Sequence, residues 1–263
     1  MTQIIWLASY PRSGNTWLRF LLYNLHQGAP FASHQVDKLI PSFHRGVAAE
    51  HFAGDRPTIV KTHLCYRPDM PLDECTAGAI YIYRHPMAVM ASNVRYVMRL
   101  VPYEEFSLAA RRALVTRIVT EYTDHLGLVG WHKNGYGSWD GNIRSWIAGP
   151  RKFPVLVVRY ESLTRDPLAE ITRICDFLGL AVSAEDRLVA VKNASEETLK
   201  AMEELEVRHG WPGLFANFVN GGSRRWRFVR DTSLEPLAEL VSSTVLARAA
   251  ETLAVPARRF GYE

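Results

Sequence analysis

Apolar positions recur along the chain with two periods, one typical of strands and one typical of helices. Residues 4–8 form a short apolar run, and after a turn-rich stretch apolar side chains recur at helical spacing over residues 17–25, until Gly28. This opening unit is therefore predicted as a strand, a loop and a helix. Three further apolar runs predict strands over residues 58–61, 79–83 and 155–158. The last run is continuously aliphatic, which is typical of a strand buried on both faces.

Helical patterns occupy much of the remaining chain. Helices are predicted from Pro86, over residues 103–125, and from Pro167 through Phe177 to a stop at Gly179. Residues 130–142 contain four glycines and are predicted as a long loop before a short helix that ends near Ala148. This alternation predicts an α/β fold with a central, mainly parallel sheet flanked by helices. Because no repeat or linker divides the sequence, residues 1–263 are predicted to form a single domain.

Composition limits the class of ligand and the cellular setting. The chain has 48% hydrophobic and 22% charged residues, as expected of a soluble globular protein, and a net charge of +4. That mild excess of positive charge suits an anionic small ligand and does not indicate nucleic acid. The sequence shows no secretion signal and no run of about twenty apolar residues, so no membrane partner is expected. Cys65, Cys75 and Cys175 are too scattered for a disulfide framework or a metal site, which favours the cytoplasm.

The loop after the first strand, SYPRSGNTW, is similar to a phosphate-binding P-loop without its lysine. In the pattern GxxxxGK[ST], backbone N–H groups hold the phosphates, the Lys reaches the β- and γ-phosphates, and the hydroxyl holds magnesium. Superimposed on this pattern, Ser9 and Gly14 take the two glycine positions, Asn15 takes that of Lys and Thr16 that of the hydroxyl. Because an Asn cannot reach a γ-phosphate, the loop is not expected to clamp a triphosphate.

A cation and a helix terminus remain in this loop. Arg12 lies inside it, and the backbone amides that follow lie at the start of a predicted helix, where the helix dipole favours an anion. The candidate amides are those of Ser13, Gly14, Asn15, Thr16 and Trp17. The loop is therefore predicted to bind a phosphate, although a simple glycine turn that joins a strand to a helix would have the same local pattern.

Four motifs, in this order, resemble those of the sulfotransferases that use 3′-phosphoadenosine 5′-phosphosulfate (PAPS). YPRSGNTW is similar to the family's common loop YPKSGTTW, and residues 61–63 match the KTH that follows a strand. The family's Arg followed eight residues later by Ser occurs here as Arg84 and Ser92, and residues 157–180 are similar to its strand, adenine-contacting Tyr and helix. The matches span residues 6–180. The resemblance implies a P-loop-like three-layer fold and a PAPS-dependent sulfotransferase of the EC 2.8.2 type.

The implied reaction transfers a sulfuryl group from PAPS to a hydroxyl, gives a sulfate ester and adenosine 3′,5′-bisphosphate (PAP), and requires no metal. His63 is the candidate base, because an imidazole with a pKa near 6.5 can accept a proton around neutral pH. Lys61 lies two residues earlier on a predicted strand, so both side chains would point to one face, and it is assigned to the leaving oxygen. Arg12 replaces the family's common Lys, and its planar guanidinium can contact two oxygens of the phosphosulfate.

Further binding residues are implied by the resemblance. Arg84 and Ser92 are expected to bind the ribose 3′-phosphate, one through a charge-assisted pair of hydrogen bonds and the other through its hydroxyl. This contact would distinguish PAPS from ADP. Trp17 and Tyr160 are expected to flank the adenine, and Thr198 is a candidate for another contact near the adenine.

The C-terminal third departs from the family's pattern. Most relatives carry an Arg-Lys-Gly loop that closes over the 3′-phosphate, whereas residues 218–228 read FVNGGSRRWRF. Ser223, Arg224 and Arg225 are candidates for a nucleotide lid, and the sequence does not choose between the two arginines. A solvated surface would have the same composition.

The acceptor is defined only as a class. Residues 137–146 and the opening loop resemble the bacterial branch of the family that sulfates natural products, including glycopeptide antibiotics. Walls of the acceptor pocket are predicted from residues 33–52, 96–106 and 130–141, whose His, Tyr, Trp and Phe side chains favour a small phenolic or other hydrophobic hydroxyl compound. The same side chains could equally form core. The sequence leaves the oligomeric state open, with a homodimer as one possibility.

Two other functions are compatible with parts of the sequence. One is a nucleotide kinase on the same scaffold, against which stand Asn15 and the lack of a convincing strand-end Asp for magnesium. The other is a non-catalytic module that binds nucleotides or RNA through its Arg cluster. Such a module would show steep salt dependence and no dependence on His63.

Overall fold

A computed structural model describes residues 3–47, 51, 57–149, 151–215, 228–229 and 235–263. Within these ranges, the central sheet has four parallel strands, β1 (Ile4–Ala8), β2 (Thr58–Thr62), β3 (Thr76–Tyr83) and β4 (Val155–Arg159), in the order β2-β1-β3-β4. The helices of the same ranges are α1 (Asn15–Gln27), α2 (Ser33–Leu39), α3 (Pro86–Met98), α4 (Leu108–His125), α5 (Val129–Lys133), α6 (Trp139–Ile147), α7 (Tyr160–Arg165), α8 (Pro167–Leu178), α9 (Ala184–Asn193), α10 (Glu196–His209), α11 (Glu235–Leu240) and α12 (Ser243–Arg258).

The two faces of the sheet bury two separate hydrophobic cores. Successive side chains of β1 point to opposite faces, so Trp6 belongs to one core and Leu7 to the other, and both are fully buried. Helices α3, α4, α6 and α12 cover the face of Trp6. Helices α1, α2, α7, α8 and α10 cover the opposite face. The predicted α/β fold with a parallel sheet between two helical layers is thereby confirmed.

Parallel strands bring their carboxyl ends to one edge of the sheet. The chain leaves β1 into the loop before α1, leaves β2 at His63, leaves β3 at Arg84 and leaves β4 directly into α7 at Tyr160. Ligands of open α/β sheets bind beyond this edge. The topology therefore brings together residues that are separated by up to about 150 positions in the sequence.

Most predicted elements are confirmed, and the bounds of a helix and of a loop are corrected. Residues 103–105 form a 3₁₀ turn, and the helix begins at Leu108, where the Ser107 hydroxyl caps it by accepting a hydrogen bond from the Ala110 amide. The loop predicted over residues 130–142 is wrong in extent. Helix α5 takes up its first part, and α6 begins at Trp139 because the Ser138 hydroxyl caps it. The turn between these helices covers residues 134–138.

Strand β4 differs from its predicted environment. Its apolar run suggested burial on both faces, but it forms an outer strand of the described sheet, and Val158 is its one fully buried residue. An outer strand has a sheet neighbour on one side, so its side chains are less enclosed than those of β1. An unbroken aliphatic run therefore does not by itself identify a central strand.

Candidate active site

The loop between β1 and α1 has the backbone geometry of an anion-binding turn. Gly14 has φ +99°, and a Cβ at this position would lie 2.4 Å from Cδ2 of Tyr160. Glycine is therefore required here both by conformation and by space. Helix α1 starts at the next residue, and among the described residues no side chain caps it. The first N–H groups of a helix have no partner within the helix, so they remain available to an anion.

Asn15 braces this loop through its side chain. Its Nδ2 donates hydrogen bonds to the Leu7 carbonyl at 3.1 Å and to the Ser9 hydroxyl at 3.2 Å. The side-chain amide at the position of the P-loop lysine therefore ties the loop to the end of β1. Both hydrogens of this side-chain amide are thereby engaged within the protein.

One cavity of about 530 Å³ opens at the carboxyl edge of the sheet. Its lining contains most of the residues singled out from the sequence, namely Arg12, Gly14, Asn15, Thr16, Trp17, Lys61, His63, Arg84, Ser92 and Tyr160. The three segments predicted as acceptor walls also line it, through residues such as His44, Tyr96 and Tyr136. Nucleotide and acceptor candidates therefore share one cavity.

His63 has a defined tautomer. Its Nδ1 lies 2.8 Å from the Ser9 carbonyl oxygen, which can only accept, so the proton of the neutral ring is on Nδ1. Nε2 is then the proton acceptor. Burial, followed by the positive charge of Lys61, holds the pKa of His63 well below its ordinary value of 6.5. The imidazole is therefore neutral at neutral pH and can act as a base.

Lys61 lies in the same cavity within a cluster of charges. Burial, with added repulsion from Arg19 and Arg45, lowers the pKa of Lys61 to about 7. The Asp37 carboxylate pairs with both arginines at 2.7 Å, and it opposes this shift. An anion bound next to Lys61 would restore its full charge. The expected alternation of Lys61 and His63 toward one cavity is confirmed, since both residues line it.

Arg12 makes a contact that its motif did not indicate. Its Nε donates to the Ser92 hydroxyl at 3.0 Å, and its guanidinium lies 4.9 Å from the ring centre of Phe228 and 5.8 Å from that of Tyr96. Burial, followed by repulsion from Arg99, lowers the pKa of Arg12 to about 10. The sequence analysis assigned Arg12 to the 5′-phosphosulfate and Ser92 to the 3′-phosphate, and in the structure the two side chains are in direct contact.

One wall of the cavity is formed by Arg84, Trp17 and Tyr160. The Arg84 guanidinium stacks 4.1 Å from the ring centre of Tyr160, and the Trp17 and Tyr160 rings meet edge to face with centres 5.8 Å apart. The Trp17 indole N–H donates to the Ala194 carbonyl at 2.8 Å. These contacts give the wall flat apolar surfaces beside a cation.

Two further candidates, Ser13 and Thr198, are not among the residues that line the cavity. The Ser13 side chain is buried, and its hydroxyl has no hydrogen-bond partner within the described ranges. Thr198 does not line the cavity; its hydroxyl lies 2.9 Å from that of Ser195, which caps α10. Ser223, Arg224 and Arg225 lie outside the described residues.

The described ranges contain neither a candidate metal site nor a membrane-spanning helix. Within them, no group of three or more His, Cys, Asp or Glu side chains has an arrangement that could hold a metal ion. None of the helices described combines the length and the apolar character needed to cross a bilayer.

Comparison with known proteins identifies similar sequences and structures. A family model described as sulfotransferase domain matches residues 2–227. Flavonol 3-sulfotransferase of Flaveria bidentis is 24% identical over 216 residues, which is 76% of this chain and 65% of that protein. Sulfotransferase 2A1 of Homo sapiens is 24% identical over 211 residues, with 74% and 65% coverage. The matched region thus spans slightly less than two thirds of these curated relatives.

Two solved structures have the same fold. Mouse sulfotransferase SULT7A1 complexed with PAP aligns with a TM-score of 0.64 at 18% identity, covering 97% of this chain and 84% of that one. Retinol dehydratase in complex with androsterone and inactive cofactor PAP aligns with a TM-score of 0.62 at 15% identity, covering 98% and 82%. At this level of identity, the likeness concerns the fold.

Proposed function

The chain belongs to the sulfotransferase family, and on that basis we propose that it transfers a sulfuryl group from PAPS to a hydroxyl of a small-molecule acceptor. The products are a sulfate ester and PAP. The observation that carries this proposal is the neutral His63, whose Nε2 can accept a proton, in one cavity with Lys61 and the turn before α1.

The proposed reaction is an in-line displacement at sulfur. The acceptor oxygen forms a bond to sulfur while the bond between sulfur and the bridging oxygen of PAPS breaks. His63 Nε2 takes the proton of the acceptor hydroxyl, and the electron pair of the broken bond leaves on the 5′-phosphate of PAP. Lys61 and Arg12 are proposed to neutralise the negative charge that develops on this leaving oxygen.

Several features of the cavity fit PAPS. The amides of residues 13–17 are proposed to hold the 5′-phosphosulfate, and the buried Ser13 hydroxyl, which has no hydrogen-bond partner among the described residues, is proposed to add a donor in the same turn. Arg84 and Ser92 are proposed to bind the 3′-phosphate, and the wall of Trp17 and Tyr160 to flank the adenine. The two solved structures named above were determined with PAP, which supports the assignment.

The acceptor is proposed to be a small hydrophobic compound with a free hydroxyl. Curated relatives are named for flavonols and steroids, and the aromatic rings of Tyr96, Trp131 and Tyr136 line this cavity. From the resemblance of residues 137–146 and the opening loop to the bacterial branch, we propose a natural product as one such acceptor. We propose a cytoplasmic location from the three free cysteines. Neither a membrane nor nucleic acid is proposed as a partner.

The decisive experiment is to incubate the protein with PAPS and a panel of phenols, sterols, sugars and peptide natural products, and to detect the gain of one SO₃ by mass spectrometry. We expect His63→Ala to abolish this gain and to leave PAP binding nearly intact. His34→Ala, at an exposed histidine of α2, is the matched control and should keep full turnover. Full turnover by His63→Ala would remove His63 from the mechanism, and a wild-type protein that binds PAP but modifies no acceptor would contradict the proposed activity.

A further inference from the structure

The backbone N–H groups of β2 alternate between two partners. In a parallel strand, alternate N–H groups point to opposite sides. That of Thr58 bonds to the Gln3 carbonyl on the side of β1, so those of Lys61 and His63 point away from β1. Lys61 N–H donates to the Pro41 carbonyl at 2.8 Å, and His63 N–H donates to Nε2 of His44 at 2.8 Å. Residues 41–44 therefore take the place of a neighbouring strand beside both candidate catalytic residues.

His44 makes this contact with its side chain. Its ring stacks on that of His63 with centres 5.8 Å apart and planes 22° apart, and it also lines the cavity. Its Nδ1 lies 3.4 Å from the Tyr136 hydroxyl. Because Nε2 accepts a hydrogen bond, the ring must be neutral. Desolvation, followed by the charge of Lys61, lowers the pKa of His44 to about 4, which is consistent with this role.

Asn142 binds the backbone carbonyl of His63. It is fully buried, and its Nδ2 donates to the His63 carbonyl at 2.9 Å and to the Tyr136 carbonyl at 2.8 Å. Its Oδ1 accepts a hydrogen bond of 2.6 Å from the Tyr81 hydroxyl, which fixes the orientation of the amide. With the Ser9 carbonyl on the imidazole, every polar backbone group of His63 and its Nδ1 has a partner.

We infer that His44 and Asn142 are positioning residues of the proposed sulfuryl transfer, which hold the N–H and the C=O of His63 so that its Nε2 faces the acceptor hydroxyl. This inference rests on the proposed function. Neither residue has to contact a reacting atom. Their effect is on the orientation of one imidazole, and a misplacement of about 1 Å in an active site can cost roughly 100-fold in rate. His44 also couples this orientation to the acceptor, because its ring is part of the cavity wall.

The experiment compares variants that separate the hydrogen bond from the ring. His44→Phe keeps an aromatic ring and removes the acceptor, whereas His44→Gln offers an oxygen near the position of Nε2. Asn142→Asp keeps the shape and removes the donors. His34→Phe is the matched control, at an exposed position that does not line the cavity. For each variant, kcat, KM for PAPS, the Kd of PAP and the amide hydrogen exchange of His63 by NMR are measured.

For His44→Phe we expect a roughly 10- to 100-fold fall in kcat, a PAP affinity within about twofold of wild type, and faster exchange of the His63 amide. His44→Gln should restore most of the kcat and most of the protection of the His63 amide from exchange. Unchanged kcat and exchange in His44→Phe would overturn the inference, as would an equal loss in the Phe and Gln variants. The exchange measurement does not depend on catalysis, so failure of the proposed function, seen as a wild type without turnover, is distinguishable from failure of the positioning.

Discussion

The Nε of Arg12 and the hydroxyl of Ser92 are joined by a hydrogen bond of 3.0 Å across 80 positions of sequence. The bond connects the turn after β1 to helix α3. Ser92 is almost fully buried, and Arg12 carries a positive φ of 71°, which is uncommon outside glycine. The proposed 5′- and 3′-phosphate sites therefore share one polar contact.

Ser92→Ala should weaken PAP more than ADP. The variant removes the hydroxyl that is proposed to bind the 3′-phosphate and that holds Arg12. A hydrogen bond to a charged group is worth about 1.5–3 kcal/mol, so PAP affinity should fall roughly 10- to 100-fold. ADP has no 3′-phosphate and should lose much less. Calorimetric titration of both nucleotides measures the difference, and equal losses would contradict the 3′-phosphate assignment.

Gly14→Ala should lose both stability and nucleotide binding. Its Cβ would lie 2.4 Å from Cδ2 of Tyr160, and the positive φ adds strain, so the free energy of unfolding should fall by about 1–3 kcal/mol. Gly28→Ala is the matched control. It also has positive φ, 75°, but no atom within 4 Å of the new Cβ, so it should lose stability without losing PAP binding. Denaturant unfolding and PAP titration separate the two effects, and intact PAP binding by Gly14→Ala would argue against the loop as the phosphate site.

Local sequence patterns were sufficient for β1, for α1 and for the turn between them. The apolar run of residues 4–8, the helix that ends at Gly28 and the glycine at position 14 are each determined by interactions within a few residues. The candidate cavity was also predictable in outline, because parallel strands bring their carboxyl ends to one edge. Two of the failures concern cap residues, such as Ser138, which starts α6 inside the predicted loop.

Contacts between distant segments could not be predicted in the same way. Nothing in the spacing of Arg12 and Ser92 indicates that they touch, since their distance depends on how α3 packs on the sheet. His44 lay in a segment assigned to the acceptor wall, but its contact with His63 N–H depends on residues 41–44 running beside β2. Asn142 gave no signal, because a buried amide acquires its role from partners that folding brings together.

PAP binding should weaken as the pH rises through about 7. The depressed pKa of Lys61, about 7 in the free protein, means that its charge is lost as pH rises, and an anion binds the charged form better. Ionisation of the PAP phosphates, with a pKa near 6, would by itself strengthen binding over the same change. We expect the loss of the Lys61 charge to outweigh this effect. Calorimetry at pH 6.5 to 8.5, in buffers of different ionisation heat, should then show that PAP affinity falls with pH and that the protein takes up protons when PAP binds.

Two variants test whether Lys61 is the titrating group. Lys61→Met should bind weakly at all these pH values with no proton uptake. Lys61→Arg retains its charge and should bind more tightly, without a fall in affinity as the pH rises, because arginine stays protonated well above this range. A wild-type profile that persists in Lys61→Met would assign the pH dependence to another group.

Thermal stabilisation should separate the proposed function from a nucleotide kinase. Asn15 takes the position of the P-loop lysine, so this loop offers no lysine to a γ-phosphate. Its side-chain amide instead donates hydrogen bonds to Leu7 and Ser9. A ligand at 100 times its Kd stabilises by about 2.7 kcal/mol, and in a domain of this size that corresponds to a rise in Tm of roughly 5–10 °C. PAP should produce this rise, and ATP with magnesium at the same concentration should produce far less. ADP serves as the control without a 3′-phosphate. Equal shifts with PAP and ATP would count against the assignment, because a sulfotransferase site must distinguish a 3′-phosphate from a triphosphate.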